Sequence, residues 1–254
     1  MKDARTHASV TLSWAGHSEV GNHRADNEDS LVMASPVFAV ADGMGGHSAG
    51  DVASDAVVRH LAEAKKSGFG TEELILSALR SSVLELAEKL EPEQRSAGTT
   101  VTGTVLTQSE RSVDWSIFNI GDSRVYLRDD EGVRQITIDH SVVQQLVDAG
   151  HITKEEADYH PHSNVITRAV GLVEEPVPDF VEVPVAAGQR ILICSDGLTK
   201  ELTDAGIEHF MTTSATPEEA VSDLMKAALG NSGRDNVSII VIDVHGVNEP
   251  VVTD

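Results

Sequence analysis

Cysteine occurs once in the chain, at position 194, so no disulfide can close within it, and a reducing compartment is implied. Aromatic residues make up only 4%. A core of ordinary size must therefore be built from Val, Ile, Leu and Ala, which the 40% apolar content allows. Positive charge is scarce: 19 Lys and Arg stand against 41 Asp and Glu, a net charge of -22. No basic run interrupts that excess, which excludes nucleic acid and anionic membrane as expected partners. No apolar stretch approaches the roughly 18 residues a membrane helix needs. Residues 1–7 lack an apolar stretch of the kind a secretion signal carries, so a soluble cytoplasmic protein is expected. Internal repeats and low-complexity linkers are also missing, and 254 residues suit a single domain.

What remains is apolar patterning with two periods. Residues 10–14 alternate as a half-buried strand does, and residues 31–33 and 37–41 flank a turn at Ser35-Pro36. Helical spacing follows over 49–64, through Val52, Ala56, Val57, His60 and Leu61. A second helix is expected over 71–90, capped by Thr71, with Leu74, Leu76, Leu79, Val83, Leu86 and Leu90 as its buried stripe. Strands are predicted at 99–107, 113–120, 124–128 and 133–138, then a helix over 141–149 that stops at Gly150. The polar segment 151–164 reads as an excursion. Strands return at 165–170, 180–185 and 190–194, followed by helices near 203–211 and 217–229 and a last strand to Val244. Strands dominate and the helices fall in separate groups. That order predicts an α+β layered fold, a sheet sandwich with helices outside it, rather than an alternating parallel sheet.

Aspartates mark the mouths of these strands. Val37 to Ala41 runs into Asp42-Gly43, Trp115 to Ile120 into Gly121-Asp122, and Ile191 to Ser195 into Asp196-Gly197; Asp235-Asn236 precedes Val237 to Ile242. Strand mouths far apart in sequence can converge in space. Two bare carboxylates about 4 Å apart repel by roughly 4 kcal/mol at an effective dielectric near 20. Such a cluster calls for a cation, and a hard divalent metal is the one that prefers oxygen. Two further stretches carry chemistry. In Gly21 to Asp29, Arg24 lies close to Glu28 and Asp29. The stretch reads either as a solvated loop or as an anion grip, since guanidinium binds phosphate through two oxygens at once. Gly43, Gly45 and Gly46 follow Asp42 so densely that backbone can approach a ligand closely. They do not form a dinucleotide fingerprint, because Ser48 stands where its third glycine belongs.

Seven pieces occur in one order: Arg24 to Asp29; Ala41 to Gly46; Gly98-Thr99-Thr100; Asn119 to Arg124; Asp139-His140-Ser141; Cys194 to Leu198; Arg234 to Ser238. Together they resemble the metal-dependent type-2C protein serine/threonine phosphatases in their bacterial form, over residues 8–245. The resemblance implies a single catalytic domain, 8–245, with short termini at 1–7 and 246–254 and a flap at about 140–171. It implies a central antiparallel β-sandwich flanked by helices on both outer faces. It also implies hydrolysis of phosphoserine and phosphothreonine in proteins by hydroxide bridging two ions, Mn²⁺ or Mg²⁺. Asp42 would bridge those ions, the Gly43 carbonyl would ligate one, and Asp196 and Asp235 would complete the first site. Asp122, with Asp196, would hold a third and weaker ion. Arg24 would bind the substrate phosphate, and Glu28 and Asp29 would hold water on the metals. The expected partners are phosphoproteins of a Ser/Thr kinase system, and the expected state is a monomer.

The chain departs from the pattern at two places. Met44 stands where eukaryotic members carry a histidine proposed as general acid, and methionine has no proton to give; His47, three residues on, is a weak substitute. Glu19 stands where many bacterial members carry Asp. Other readings are a non-catalytic phosphoprotein-binding module on the same fold and a serine hydrolase using Ser48 in Gly46-His47-Ser48-Ala49-Gly50. Presence of the metal aspartates opposes the first. Against the second, an elbow places its serine at the strand tip, and Asp42 to Gly45 intervene. Cys194 lies inside an apolar run, and Lys200 occupies the place where a cysteine-dependent phosphatase would need arginine.

Overall fold

The computed structural model describes residues 8–45, 49–63, 68–91, 94, 97–110, 112–157 and 159–248. Two antiparallel sheets face each other. The first has the order β1 (Ser9–Glu19), β11 (Val237–Asn248), β10 (Arg190–Cys194), β7 (Arg124–Asp129), β8 (Gly132–Gln135). The second has the order β2 (Asp29–Ala34), β3 (Val37–Met44), β5 (Val101–Gln108), β6 (Val113–Ile120), β9 (Asp179–Pro184), with the short β4 (Gly98–Thr99) paired to the end of β3.

The inner strands read as unbroken apolar runs because both of their faces are buried. Phe38, Val40, Trp115, Ile117, Ile191, Ile193, Ile240 and Ile242 meet between the sheets. The alternate residues point outward. Val37, Ala39 and Ala41 pack on Val57, Leu61, Ile75 and Leu79 of α1 (Ala49–Glu63) and α2 (Glu72–Lys89). Leu192, Cys194, Ile239 and Val241 pack on α5 (Asp196–Thr199), α6 (Asp204–Thr213) and α7 (Pro217–Asn231) through Leu198, Ile207, Met211 and Leu224. The layers are thus α-β-β-α, as expected.

Caps set the helix starts. Thr71 accepts from the Leu74 amide at 3.2 Å, and Thr216 accepts from the Glu219 amide at 3.2 Å ahead of Pro217 in the first turn. The buried stripe of α2 differs from the expected one: Ile75, Ala78, Leu79, Ser82 and Leu86 are covered, Leu76 and Val83 are half-buried, and Leu84 is exposed. So many apolar residues in α2 leave its phase undefined by hydropathy alone, and contact with α1 selects the face. Residues 165–170 form no strand. Isolated bridges, Ser141 to Ile166 and Thr99 of β4 to Val170, pair this segment at single points, and Arg168 ties it to Asp179 of β9 at 2.7 Å. The excursion carries α3 (Val142–Asp148), ended by Gly150 at φ +70°, and the single-turn α4 (Lys154–Ala157).

Candidate metal centre

Register brings the strand mouths to one end of the sandwich. Asp29 at the start of β2 pairs with Asp42 near the end of β3. The end of β6 pairs with the start of β5, and the end of β10 lies beside the start of β11. In β3, Asp42 has the same parity as Phe38 and Val40, so it continues the inter-sheet face beyond the apolar core. Asp122 follows β6, Asp196 follows β10 and Asp235 precedes β11. The sequence-predicted aspartates therefore share one basin, and Asp29 joins them.

Neighbouring hydroxyls and amides hold the basin in shape. The Asp42 amide donates to Thr100 Oγ1 at 3.1 Å, and the Thr100 and Thr99 groups return bonds to the Asp42 carbonyl, each at 2.9 Å. Ser195 Oγ donates to Asp29 Oδ2 at 2.8 Å and accepts from the Ser238 amide at 2.9 Å. Asn236 clamps the Arg24 to Asp29 loop. Its side chain donates to the carbonyls of Val20 and Asp26 and accepts from the Glu28 amide at 2.9 Å. Gly43 must be glycine: a Cβ there would lie 2.2 Å from the Gly50 carbonyl oxygen and 2.5 Å from that of Glu28. Gly121, at φ +111°, turns the chain into Asp122 and is gripped by His140 through both its amide and its carbonyl.

The electrostatics are those of crowded acids. Burial pushes the Asp29 carboxyl up to about 7, against hydrogen bonds from Ser195 and Ser238, with Asp196 and Asp235 adding to the rise. Burial pushes Asp122 to about 7 as well, helped by Asp196 and Asp139 and opposed by Lys200. Asp42 is held well above the ordinary carboxylate range by lost hydration first, then by Asp29, Asp196, Asp122 and Asp235. Glu28 is raised by burial and by Asp51, with Arg24 opposing. Among the described residues, two buried carboxylate oxygens, Asp29 Oδ1 and Asp196 Oδ1, have no hydrogen-bond partner. A buried acceptor left unmet costs about 1–3 kcal/mol, more when charged. An all-oxygen donor set of one sign, with unmet buried oxygens, fits hard divalent ions.

Cations of the chain itself reach this basin. Lys200 Nζ lies 2.5 Å from Asp196 Oδ2 and 3.3 Å from Asp235 Oδ2. Arg24 Nη2 lies 2.8 Å from Asp235 Oδ1. Burial works against the Lys200 charge, but Asp196, Asp235 and Asp122 outweigh it and hold its pKa above the usual lysine value. Among the described residues no three carboxylate, imidazole or thiol side chains close directly on one point; Asp196 and Asp235 meet at the Lys200 ammonium instead. Lys200 was not expected in the site. Its signal was the four-residue spacing from Asp196, which places both on one face only if a helix begins at Asp196.

The remaining sequence candidates separate from the basin or fall outside it. Cys194 is fully buried and its thiol is pushed to about 12 by burial, which leaves it inert. Glu19 pairs with His17 at 2.8 Å at the end of β1. Met44 ends β3 opposite Gly98. Gly46, His47, Ser48 and the termini at 1–7 and 249–254 lie outside the described residues.

Comparison with known proteins bears on the family and the fold. A family described as protein phosphatase 2C matches residues 15–231. The chain is 37% identical to the serine/threonine protein phosphatase PstP of Mycobacterium tuberculosis, covering 96% of this chain and 48% of that protein; it thus spans about half the length of that relative. It is 34% identical to the serine/threonine phosphatase stp of Listeria innocua, covering 89% of this chain and 90% of that one. The crystal structure of a PstP catalytic domain in complex with two manganese ions superposes with a TM-score of 0.83 at 35% identity, covering 94% of this chain and all of that one.

Proposed function

This chain belongs to the protein phosphatase 2C family, and on that premise we propose that it is a metal-dependent phosphatase acting on phosphoserine and phosphothreonine in proteins. One observation carries the reading: Asp29, Asp42, Asp122, Asp196 and Asp235 converge from separate strand ends on one basin with unmet buried oxygens. Asp42, the Gly43 carbonyl, Asp196 and Asp235 would hold two ions, and Asp122 with Asp196 a third and weaker one. Bound there, Mn²⁺ or Mg²⁺ would supply Lewis acidity, activating water and neutralising phosphoryl oxygens.

The chain's own residues do the rest. Glu28 and Asp29, acceptors only when ionised, hold and orient water by taking its hydrogens. The planar fork of Arg24, half exposed at the rim, receives two phosphoryl oxygens and fixes the phosphorus for in-line attack. Met44 has no transferable proton, so the proton for the departing alkoxide must come from water in the basin or from another group. On this reading catalysis belongs to a single domain, residues 8–245, with the excursion at about 140–171 as the flap beside it. The protein would work as a monomer in the cytoplasm on substrates of a Ser/Thr kinase. A single buried cysteine supports a reducing compartment, and among the described residues no helix is long and apolar enough to cross a membrane.

The test is hydrolysis of para-nitrophenyl phosphate and of a phosphothreonine peptide, with and without Mn²⁺. Wild type should need the ion, which excludes the serine hydrolase. Asp42→Asn should keep the fold and lose turnover. Retention of more than about a tenth, a barrier change under roughly 1.4 kcal/mol, would remove Asp42 from the reaction. Asp122→Ala should keep the two tighter ions and still lose turnover; wild-type turnover and metal dependence would remove the third ion.

A further inference from the structure

We propose that Lys200 is a resident cation of the basin, competing with the divalent ions for Asp196 and Asp235 and so setting how tightly they bind. This rests on the basin being their site.

The placement is built in. Asp196 opens α5 and Lys200 closes it four residues on, with the Lys200 amide donating to the Asp196 carbonyl at 2.8 Å. The following turn is tied down as well: the Leu202 amide donates to the Leu198 carbonyl at 2.9 Å, and Asn231 donates to the Glu201 carbonyl at 2.6 Å. The ammonium thus emerges from a fixed base and spans Asp196 Oδ2 and Asp235 Oδ2. Other cations close to this end of the sandwich are engaged elsewhere. Arg124 is held by both oxygens of Asp139, and Arg234 by Glu201. Arg24 meets Asp235 through Oδ1, leaving Oδ2 to Lys200.

Two consequences follow for an arriving ion. Oxygens held by the ammonium are less available as ligands, and the positive charge raises the cost of bringing a second one near. Binding is attenuated and not abolished, because the ammonium takes Asp196 through Oδ2, and among the described residues the buried Oδ1 has no hydrogen-bond partner. A lysine suits this role better than an arginine anchored by a planar fork. Its ammonium is a compact charge on a flexible stem, and here the side chain is one-third exposed, so it can withdraw toward water. The same ammonium offsets carboxylate repulsion when no ion is bound, so affinity and resting stability oppose each other at one residue.

The experiment measures Mn²⁺ affinity by calorimetry for wild type, Lys200→Gln and Lys200→Arg, and melting temperature in chelator for all three. Lys200→Gln should bind Mn²⁺ about tenfold more tightly, equivalent to about 1.4 kcal/mol, and melt lower than wild type in chelator. Lys200→Arg, which keeps the charge but anchors it by a planar fork, should bind Mn²⁺ no more tightly than wild type and should not melt lower in chelator. If Lys200→Gln does not hold its fold in chelator, its affinity is read by competition against a calibrated chelator, starting from Mn²⁺-loaded protein. An affinity gain under about threefold, or a loss, overturns the competition. Absence of Mn²⁺ binding by any of the three overturns the basin itself.

Discussion

Arg24 meets Asp235 with one terminal nitrogen at 2.8 Å while about half of its side chain stays exposed. The guanidinium therefore has donors to spare, which the proposed function would turn to an entering phosphate. Hydrogen bonds to charged groups contribute about 1.5–3 kcal/mol. Arg24→Ala should accordingly raise KM on the order of ten- to a hundredfold and lower kcat less, because the phosphate is gripped both before and during the reaction. Inhibition by free phosphate should weaken in parallel. Steady-state kinetics with KM and phosphate inhibition both unchanged would take Arg24 out of substrate binding. At this scale the aspartates were legible because each ends or begins an apolar run, and a strand mouth can point nowhere but the sheet's edge. Lys200 was not legible: four-residue spacing from an acid is common on any helix, and nothing in the sequence marks that Asp196 begins one.

Helices α1 and α2 cover one outer face, and a charged clamp joins them above the apolar contact. Glu85 on α2 binds Arg59 Nη2 at 2.5 Å and His60 Nε2 at 2.7 Å on α1, and Lys89 at 2.7 Å on its own helix. Its carboxyl is drawn down to about 2, by Arg59 first and then Lys89 and His60, against burial. The folded-state pKa lies below the unfolded value. Its stabilising contribution is therefore present above about pH 4.5 and lost as pH falls toward about 2. Glu85→Gln should melt below wild type at pH 7, and the difference should shrink across that window in a series of thermal melts. A difference independent of pH would mean that the clamp acts through packing and not charge. The strands of this layer could be read from the sequence because two buried faces make continuous apolar runs. The phase of α2 could not, since Leu74, Ile75, Leu76, Leu79, Val83, Leu84 and Leu86 satisfy more than one face, and only α1 decides among them. Residues 165–170 carry strand-like composition but touch a strand at a single bridge, Val170 to Thr99 of the two-residue β4, which offers no length for a ladder; that is a fact of topology and not of the segment.

The whole molecule carries a net charge of -22, and five of its aspartates gather at one end of the sandwich around the buried Asp42. The layered fold follows from strand order and helix grouping, both readable in the chain. The location of the basin follows from register, which is not. Antiparallel pairing brings Asp29 opposite Asp42 in one sheet and sets the end of β10 beside the start of β11 in the other; with the sheets face to face, Asp29 and Asp42 then repel Asp196 and Asp235, more than a hundred residues away in sequence. That repulsion opposes folding unless a cation relieves it, and an ion bound only to the folded chain stabilises it by mass action. At an ion concentration about 100 times Kd the gain is about 2.7 kcal/mol per site. For a protein of this size each kcal/mol moves the melting temperature by roughly 2–4 °C. Millimolar Mn²⁺ should therefore raise the melting temperature over that in chelator by roughly 5–10 °C for each site so filled. Monovalent salt should raise the chelated value as well, because screening shortens the reach of charge to about 3 Å at 1 M. It should do so less than Mn²⁺, since buried carboxylates are screened least. Asp42→Asn separates the two effects: it removes one acid from the cluster without breaking the Lys200 ion pairs, so it should melt above wild type in chelator and gain less from Mn²⁺. Superimposable wild-type curves in chelator and Mn²⁺ would mean that the convergent aspartates hold no ion in the folded state.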